Sequence, residues 1–370
     1  MPPVIAPASS ARVALWEGAG GIGVTSIPCP PPRAGEVLIR VSVATVCGCV
    51  RDAIRERRLG SWPTVLGHEG VGVVEAVGRG AEALTVDGIS LAPGMRVVWA
   101  RDVGCGTCGA CAAGATAACA EPRELGRQAM TDTWALTGSL ASHMLLPAGA
   151  ALALVPAGVP DAVAAPAGCA LAVAAAAIDR AGAIAGRRVV VLGAGMIGLA
   201  ALAMAVEAGA ASTTAVDPCA KRRRRALAFG ADAALDVDAR VPACDVVIDA
   251  AGGADTFVRV SGSLARGGVA VVAGARAQVP DAVVDVERLS RDGLALLGLG
   301  RPSPRHVLDA VTFLAATHAM RPWADIVSPP RGLEAVVEAV AHSGGSIARV
   351  AIAPGTPASA VTRGEPAHRP

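Results

Sequence analysis

The sequence predicts a chain of two parts, α/β plus β: a β-rich first part, then a doubly wound parallel sheet wrapped in helices. Three observations point there. Up to about residue 155, short apolar runs are separated by Gly, Pro and Asp; from about residue 166, strands alternate with helices. The chain is also 370 residues long, too long for one ordinary domain and comfortable for two. With 53% hydrophobic and 17% charged residues, it has ample material for packed cores.

Taken in order, residues 37–46, 70–77 and 95–99 read as strands, with turns at Gly78-Arg79-Gly80 and Ala92-Pro93-Gly94. The second part reads as strand 188–192, helix 196–208, strand 212–216, helix 221–229, strand 245–249, helix 254–264 and strand 269–273. After about residue 302, an amphipathic helix at 305–317 leads to a strand at 348–352. Residues 353–370, rich in Pro, Gly, Ser and Thr, read as a disordered tail. The apolar stretches 162–178 and 189–206 are rich in Ala and Gly and bounded by charges. Each is expected to be a buried strand and helix rather than a membrane span.

Several function classes are excluded. A net charge of +2 offers no footprint for nucleic acid or membrane. The absence of tyrosine removes any mechanism that needs a Tyr general acid. The only lysine, Lys221, heads the run Lys221-Arg222-Arg223-Arg224-Arg225, which fits neither a phosphate-binding P-loop nor a desolvated Schiff-base lysine. Residues 1–12 lack a basic start followed by an apolar core, so no secretory signal is read and a cytoplasmic location is expected. In that compartment ten cysteines argue for metal or catalysis before disulfides.

Cys105, Cys108, Cys111 and Cys119 carry the strongest signal. Four thiolates on short glycine-containing turns can close a tetrahedron around zinc with no position left open. A redox pair at Cys105-Gly106-Thr107-Cys108 would leave the other two cysteines unexplained; iron–sulfur or unmetallated thiols are the remaining readings. The second signal is Gly193-Ala194-Gly195-Met196-Ile197-Gly198, which follows an apolar strand and opens a helix. Gly193 allows the tight turn, Gly195 lets backbone approach a pyrophosphate, and Gly198 lets helix and strand pack closely. The first turn of the helix, Met196 and Ile197, then offers unpaired N–H groups to the anion. Asp217, 19 residues beyond Gly198 at the end of the next strand, is placed to bond ribose hydroxyls, which favours NAD. Arg222 and its neighbours pull towards NADP, although a solvated helix face accounts for most of the run. Cys47, His68 and Cys169 are taken singly as ordinary buried residues, and nothing in their spacing assembles them.

Gly67-His68-Glu69-Gly70 with Gly72, the four-cysteine lobe and the later glycine motif together resemble the zinc-dependent medium-chain alcohol dehydrogenases, over residues 12–352. Residues 84–88 and 164–169 look most like a bacterial subgroup associated with phosphonate metabolism. The resemblance implies a GroES-like catalytic domain at 1–165, a Rossmann NAD-binding domain at 166–301, and a segment at 302–353 that returns to complete the first domain, with 354–370 as tail. It carries Cys47, His68 and Cys169 over as catalytic zinc ligands and Glu69 as the acidic residue beside the metal, against a plain salt bridge for Glu69. It also implies one catalytic and one structural Zn2+ per chain, a small alcohol or carbonyl substrate, and a homodimer or homotetramer.

The chain departs from that pattern at Cys47-Gly48-Cys49-Val50-Arg51-Asp52. Cys49 stands where the hydroxyl that begins the proton relay usually lies, and Val50 where an Asp often orients the metal-bound His. Asp52 is a substitute from two residues further on. Cys49 is expected to be a poor relay member rather than a ligand, the spacing from Cys47 being too tight for both thiols to reach one zinc easily. The cations Arg51, Arg55, Arg57 and Arg58 suggest a phosphate- or phosphonate-bearing alcohol, or simply a solvated basic helix face. The reading is a zinc-dependent oxidoreductase interconverting an alcohol, such as a polyol or a phosphate- or phosphonate-bearing one, with its carbonyl through NAD. The alternatives are a catalytically impaired relative that binds dinucleotide or regulates, and a purely structural zinc protein whose glycine motif binds nothing.

Overall fold

The computed structural model describes residues 8–55, 63–274, 281, 283–342 and 347–355, with backbone alone at residues 52, 53, 55, 255 and 256. Its first part is antiparallel. Strand Val37–Val46 lies at the centre, paired with Glu69–Val77 on one side and with Val350–Ile352 and His143–Leu146 elsewhere along its length. Arg96–Trp99 and Leu152–Leu154 extend the same sheet beyond Glu69–Val77. A three-stranded sheet of Ser10–Trp16, Ile22–Pro28 and Thr64–Val65 completes the layer. β-Branched residues fill these strands, and the faces turned inward form one apolar core with Trp99 and Met144 fully buried.

The second part is a six-stranded, all-parallel sheet. Its order in space is Ala233–Leu235, Ser212–Val216, Arg188–Leu192, Cys244–Asp249, Leu264–Val272, Ala295–Gly298. The order reverses at Arg188–Leu192, so a crevice opens beyond the carboxyl end of that strand. The two outermost strands are short and carry little of the apolar run that marks the central ones, and sequence reading passed over both.

Two expectations are corrected. Residues 161–181 contain no strand: Asp161–Ala164, a π-helical turn at Ala167–Leu171 and Ala172–Ala181 follow one another. Alanine-rich sequence with few β-branched residues favours helix, and Pro160 sets the N-terminus. This 21-residue helical stretch is long and apolar enough to cross a membrane by composition, but 78% of its apolar window is buried against the rest of the protein. Second, the helix expected at 254–264 ends at Ser261, where Gly262 caps it, and Leu264 already belongs to the next strand. The return of Val350–Ile352 to Val37–Val46 places the end of the chain in the first sheet. Residues 356–370, read as a tail, lie outside the described residues.

Candidate active site and metal centres

The antiparallel register pairs Thr45 with Glu69, so the residues just beyond them, Cys47 and His68, are brought together. Cys47 Sγ stands 3.2 Å from His68 Nε2, and both residues are buried. Gly48 opens the helix Gly48–Arg55, which turns Cys49 back towards the same point. The ligand atoms of Cys47, Cys49 and His68 all lie within 4.8 Å of one another. The expected tightness of Cys47-Gly48-Cys49 therefore does not keep the two thiols apart. Chain reversal at the strand-to-helix junction, rather than the length of the spacer, decides their separation.

Cys169 arrives from the other part of the chain. It sits in the π-helical turn Ala167–Leu171, and a Cβ on Gly168 would lie 1.7 Å from the carbonyl oxygen of Trp99. Only glycine lets this turn approach the strand so closely. Cys169 is not among the ligand atoms that cluster within 4.8 Å, which are those of Cys47, Cys49 and His68, but its thiol acts on that of Cys49, as do Cys47 and His68. The bond from Cys169, then that from Cys47, holds the Cys49 thiol well below its ordinary pKa against the opposing effect of burial. Cys47 and Cys169 are pushed up, first by donating to Cys49 and then by burial.

The groups around this cluster explain its orientation and one deficit. Glu69 accepts from Thr45 Oγ1 at 2.7 Å and from Arg349 through Nε at 2.7 Å and Nη2 at 2.9 Å. Both of its carboxylate oxygens are thus held. His68 Nδ1 is buried without a hydrogen-bond partner among the described residues, and Val50, which is buried nearby in sequence, can offer none. The side chain of Asp52 and those of Arg55, Arg57 and Arg58 lie outside the described residues. Arg51 donates to the carbonyl of His342.

The four-cysteine lobe forms a second cluster. Cys105, Cys108, Cys111 and Cys119 place their sulfurs within 4.8 Å of one another, with Cys105 and Cys111 at 4.0 Å and Cys108 and Cys119 at 3.9 Å. A tetrahedron with Zn–S bonds of ~2.3 Å has edges of about 3.8 Å, so these spacings fit the ion. The backbone N–H of Thr107 donates to Cys105 and helps hold its thiol down to about 6, a value at which a thiolate ligand is ready at neutral pH.

The glycine motif lies at the crevice of the parallel sheet. Gly193 has φ of 86° and faces Ala251, and a Cβ on Gly198 would lie 1.7 Å from the carbonyl oxygen of Gly193. A Cβ on Gly195 would meet nothing within 4 Å. Two glycines are therefore required by packing, while the third leaves open space at the N-terminus of Met196–Glu207, where Met196 and Ile197 begin the helix. Asp217 ends its strand beside this turn, accepting from Ala194 N at 2.9 Å and Cys219 N at 2.8 Å. Each carboxylate oxygen keeps a further lone pair for a ribose hydroxyl. Arg222 comes within 3.8 Å of Asp217, whereas Arg223 is spent on the carbonyls of Asp217 and Pro218 and on Asp236.

One residue near the metal cluster escaped sequence reading. Arg101 lines a cleft together with Gly168, Cys169, Val173, Pro302 and Ser303. Asp102 holds its Nε and Nη2, the latter at 2.9 Å, while Nη1 makes no hydrogen bond among the described residues. No local pattern marks Arg101, because its partners come from the helical stretch and from the loop before Pro304–Thr317.

Comparison with known proteins agrees with this geometry. The alcohol dehydrogenase GroES-like domain family matches residues 33–157, and the zinc-binding dehydrogenase family matches residues 197–316. The chain is 27% identical over 339 residues to 5-exo-hydroxycamphor dehydrogenase of Pseudomonas putida, covering 86% of this chain and 88% of that protein. It is 32% identical over 225 residues to an NDMA-dependent alcohol dehydrogenase of Amycolatopsis methanolica, covering 54% and 56% of the two chains. An alcohol dehydrogenase structure from Thermotoga maritima superposes with a TM-score of 0.85 at 23% identity, over 93% of this chain and 99% of that one. A zinc-binding dehydrogenase of Sinorhizobium meliloti 1021 bound to NADP superposes with a TM-score of 0.82 at 26% identity, over 94% and 100%.

Proposed function

We propose, since the chain belongs to the zinc-dependent medium-chain alcohol dehydrogenase family and is an NAD(P)-linked oxidoreductase, that its substrate is an alcohol bearing an anionic group and its preferred cofactor NAD. The observation that supports the substrate class is Arg101, which lines the same cleft as Cys169 and whose Nη1 makes no hydrogen bond among the described residues. A phosphate, phosphonate or carboxylate suits a planar guanidinium, whereas an uncharged polyol leaves that charge unused. The narrower likeness to the phosphonate-associated subgroup rests on residues 84–88 and 164–169 alone.

By the family resemblance Cys47, His68 and Cys169 would hold the catalytic zinc, although the atoms that cluster within 4.8 Å are those of Cys47, Cys49 and His68; Cys105, Cys108, Cys111 and Cys119 would hold the structural one. Zinc, when bound, acts as a Lewis acid on the alcohol or carbonyl oxygen, and NAD accepts or returns the hydride. The chain supplies the rest. Gly195 and the start of Met196–Glu207 bind pyrophosphate, Asp217 orients the adenosine ribose, and Arg101 orients the substrate's anionic end. The thiol at position 49 leaves the hydroxyl proton without the usual relay. A cytoplasmic homodimer or homotetramer is the assembly we attach to this reading.

The test is a panel of matched alcohols, neutral, carboxylated, phosphorylated and phosphonylated, with NAD and NADP. Anionic members should give kcat/KM at least ~10-fold above neutral ones, a difference of about 1.4 kcal/mol. Arg101→Ala should remove that preference through KM. Equal rates across the panel would sink the substrate class. A second reading, a relative that binds dinucleotide without turnover, is favoured by the unpartnered His68 Nδ1; it predicts cofactor binding with no rate for any alcohol.

A further inference from the structure

We propose that Cys49 is the fourth protein ligand of the catalytic zinc, so that the resting centre is a closed Cys3His set rather than an open three-ligand site. The inference rests on the family reading for the presence of that zinc. It stands on three observations. Cys49 shares a 4.8 Å cluster with Cys47 and His68. Its thiol is also the one on which Cys47, His68 and Cys169 all act, although Cys169 itself lies outside the 4.8 Å cluster and would have to close on the ion. And it is partly exposed where Cys47, His68 and Cys169 are buried, so it occupies the solvent-facing vertex of the set.

The solvent-facing vertex is where a catalytic site keeps its exchangeable position. A thiolate there is a softer and stronger donor than water. Glu69 does not compete for the position, because Thr45 and Arg349 hold both of its oxygens. Three thiolates around a divalent ion leave one net negative charge, and the half-buried Arg101, itself paired with Asp102, lies within electrostatic range of both Cys49 and Cys169. In this arrangement a position opens to substrate only when Cys49 leaves.

The experiment compares the parent protein with Cys49→Ala and Cys49→Ser, measuring metal content and then the visible spectrum after cobalt replacement. Imidazole serves as the added probe ligand. The parent should hold two metals per chain, and imidazole should leave its cobalt bands unchanged. Both variants should still bind two metals, lose about one seventh of the thiolate-to-cobalt charge-transfer intensity, as seven sulfur donors become six, and shift their bands with imidazole. Two metals per chain with unchanged charge transfer in the variants, or with imidazole shifting the parent as it shifts them, would overturn the fourth ligand and leave the dehydrogenase reading standing. One metal per chain in the parent, lost in Cys108→Ser, would overturn the catalytic zinc itself and both readings with it.

Discussion

Glu69 and Arg349 form a buried, two-pronged ion pair, with Arg349 Nε 2.7 Å and Nη2 2.9 Å from the two carboxylate oxygens. The pair ties the strand that follows His68 to the last strand of the chain, Val350–Ile352, which adds to the central strand Val37–Val46. It fixes the residue next to His68, a candidate metal donor, by means of a segment that arrives only after the whole parallel domain has been traversed.

Removing one partner leaves an uncompensated buried charge, which costs more than the pair itself contributes. Arg349→Ala should therefore lower stability by about 3–5 kcal/mol. The double variant Glu69→Gln with Arg349→Met should recover much of that loss. Denaturant midpoints measure both, and a single variant as stable as the parent would show that the pair is not a structural tie.

The four-cysteine lobe has little apolar core of its own; its strands Asp102–Val103 and Arg123–Glu124 are two residues each. Metal should therefore carry its folding. Cys108→Ser should lose one zinc per chain and become prone to proteolysis between residues 104 and 122, while the parallel domain stays folded. Limited digestion followed by mass spectrometry reads this directly. Full resistance in the zinc-depleted variant would contradict it.

Cofactor choice turns on Asp217. Asp217→Asn keeps the size of the side chain and one acceptor, and it removes the negative charge that repels a 2′-phosphate. The ratio of kcat/KM for NAD over NADP should fall by about 10-fold, with Arg222 beside the site to receive the phosphate. A ratio that stays constant would show that neither residue governs the choice.

Gly195 and Gly198 make a controlled pair. Gly195→Ala places a methyl in open space, so stability should change by no more than about 0.5 kcal/mol while dinucleotide affinity falls at least 10-fold. Gly198→Ala drives a methyl into the Gly193 carbonyl oxygen and should destabilise the domain whether or not cofactor is present. Thermal shift with and without NAD separates the two. Gly195→Ala that binds NAD normally would remove the pyrophosphate assignment.

Much of the fold was legible because its signals are local. The strands Val37–Val46, Arg188–Leu192 and Ser212–Val216 are short runs rich in β-branched residues, and their ends coincide with those read from sequence. The zinc lobe and the glycine turn were legible for the same reason: ligand spacing and a strand-turn-helix junction are set by a few consecutive residues. By contrast, 161–181 was misread in part, because a run of alanines satisfies a buried strand and a buried helix equally by hydropathy alone. Tertiary structure decided what depends on distant segments meeting. The antiparallel register sets Cys47 against His68; the approach of Gly168 to Trp99 brings Cys169 to Cys49; and the return of the chain end sets Arg349 against Glu69. Whether Cys49 stood apart from the donors or among them could not be read from its spacing to Cys47. That distance is fixed by the turn between a strand and a helix, and both are held in place by the packing of the whole sheet.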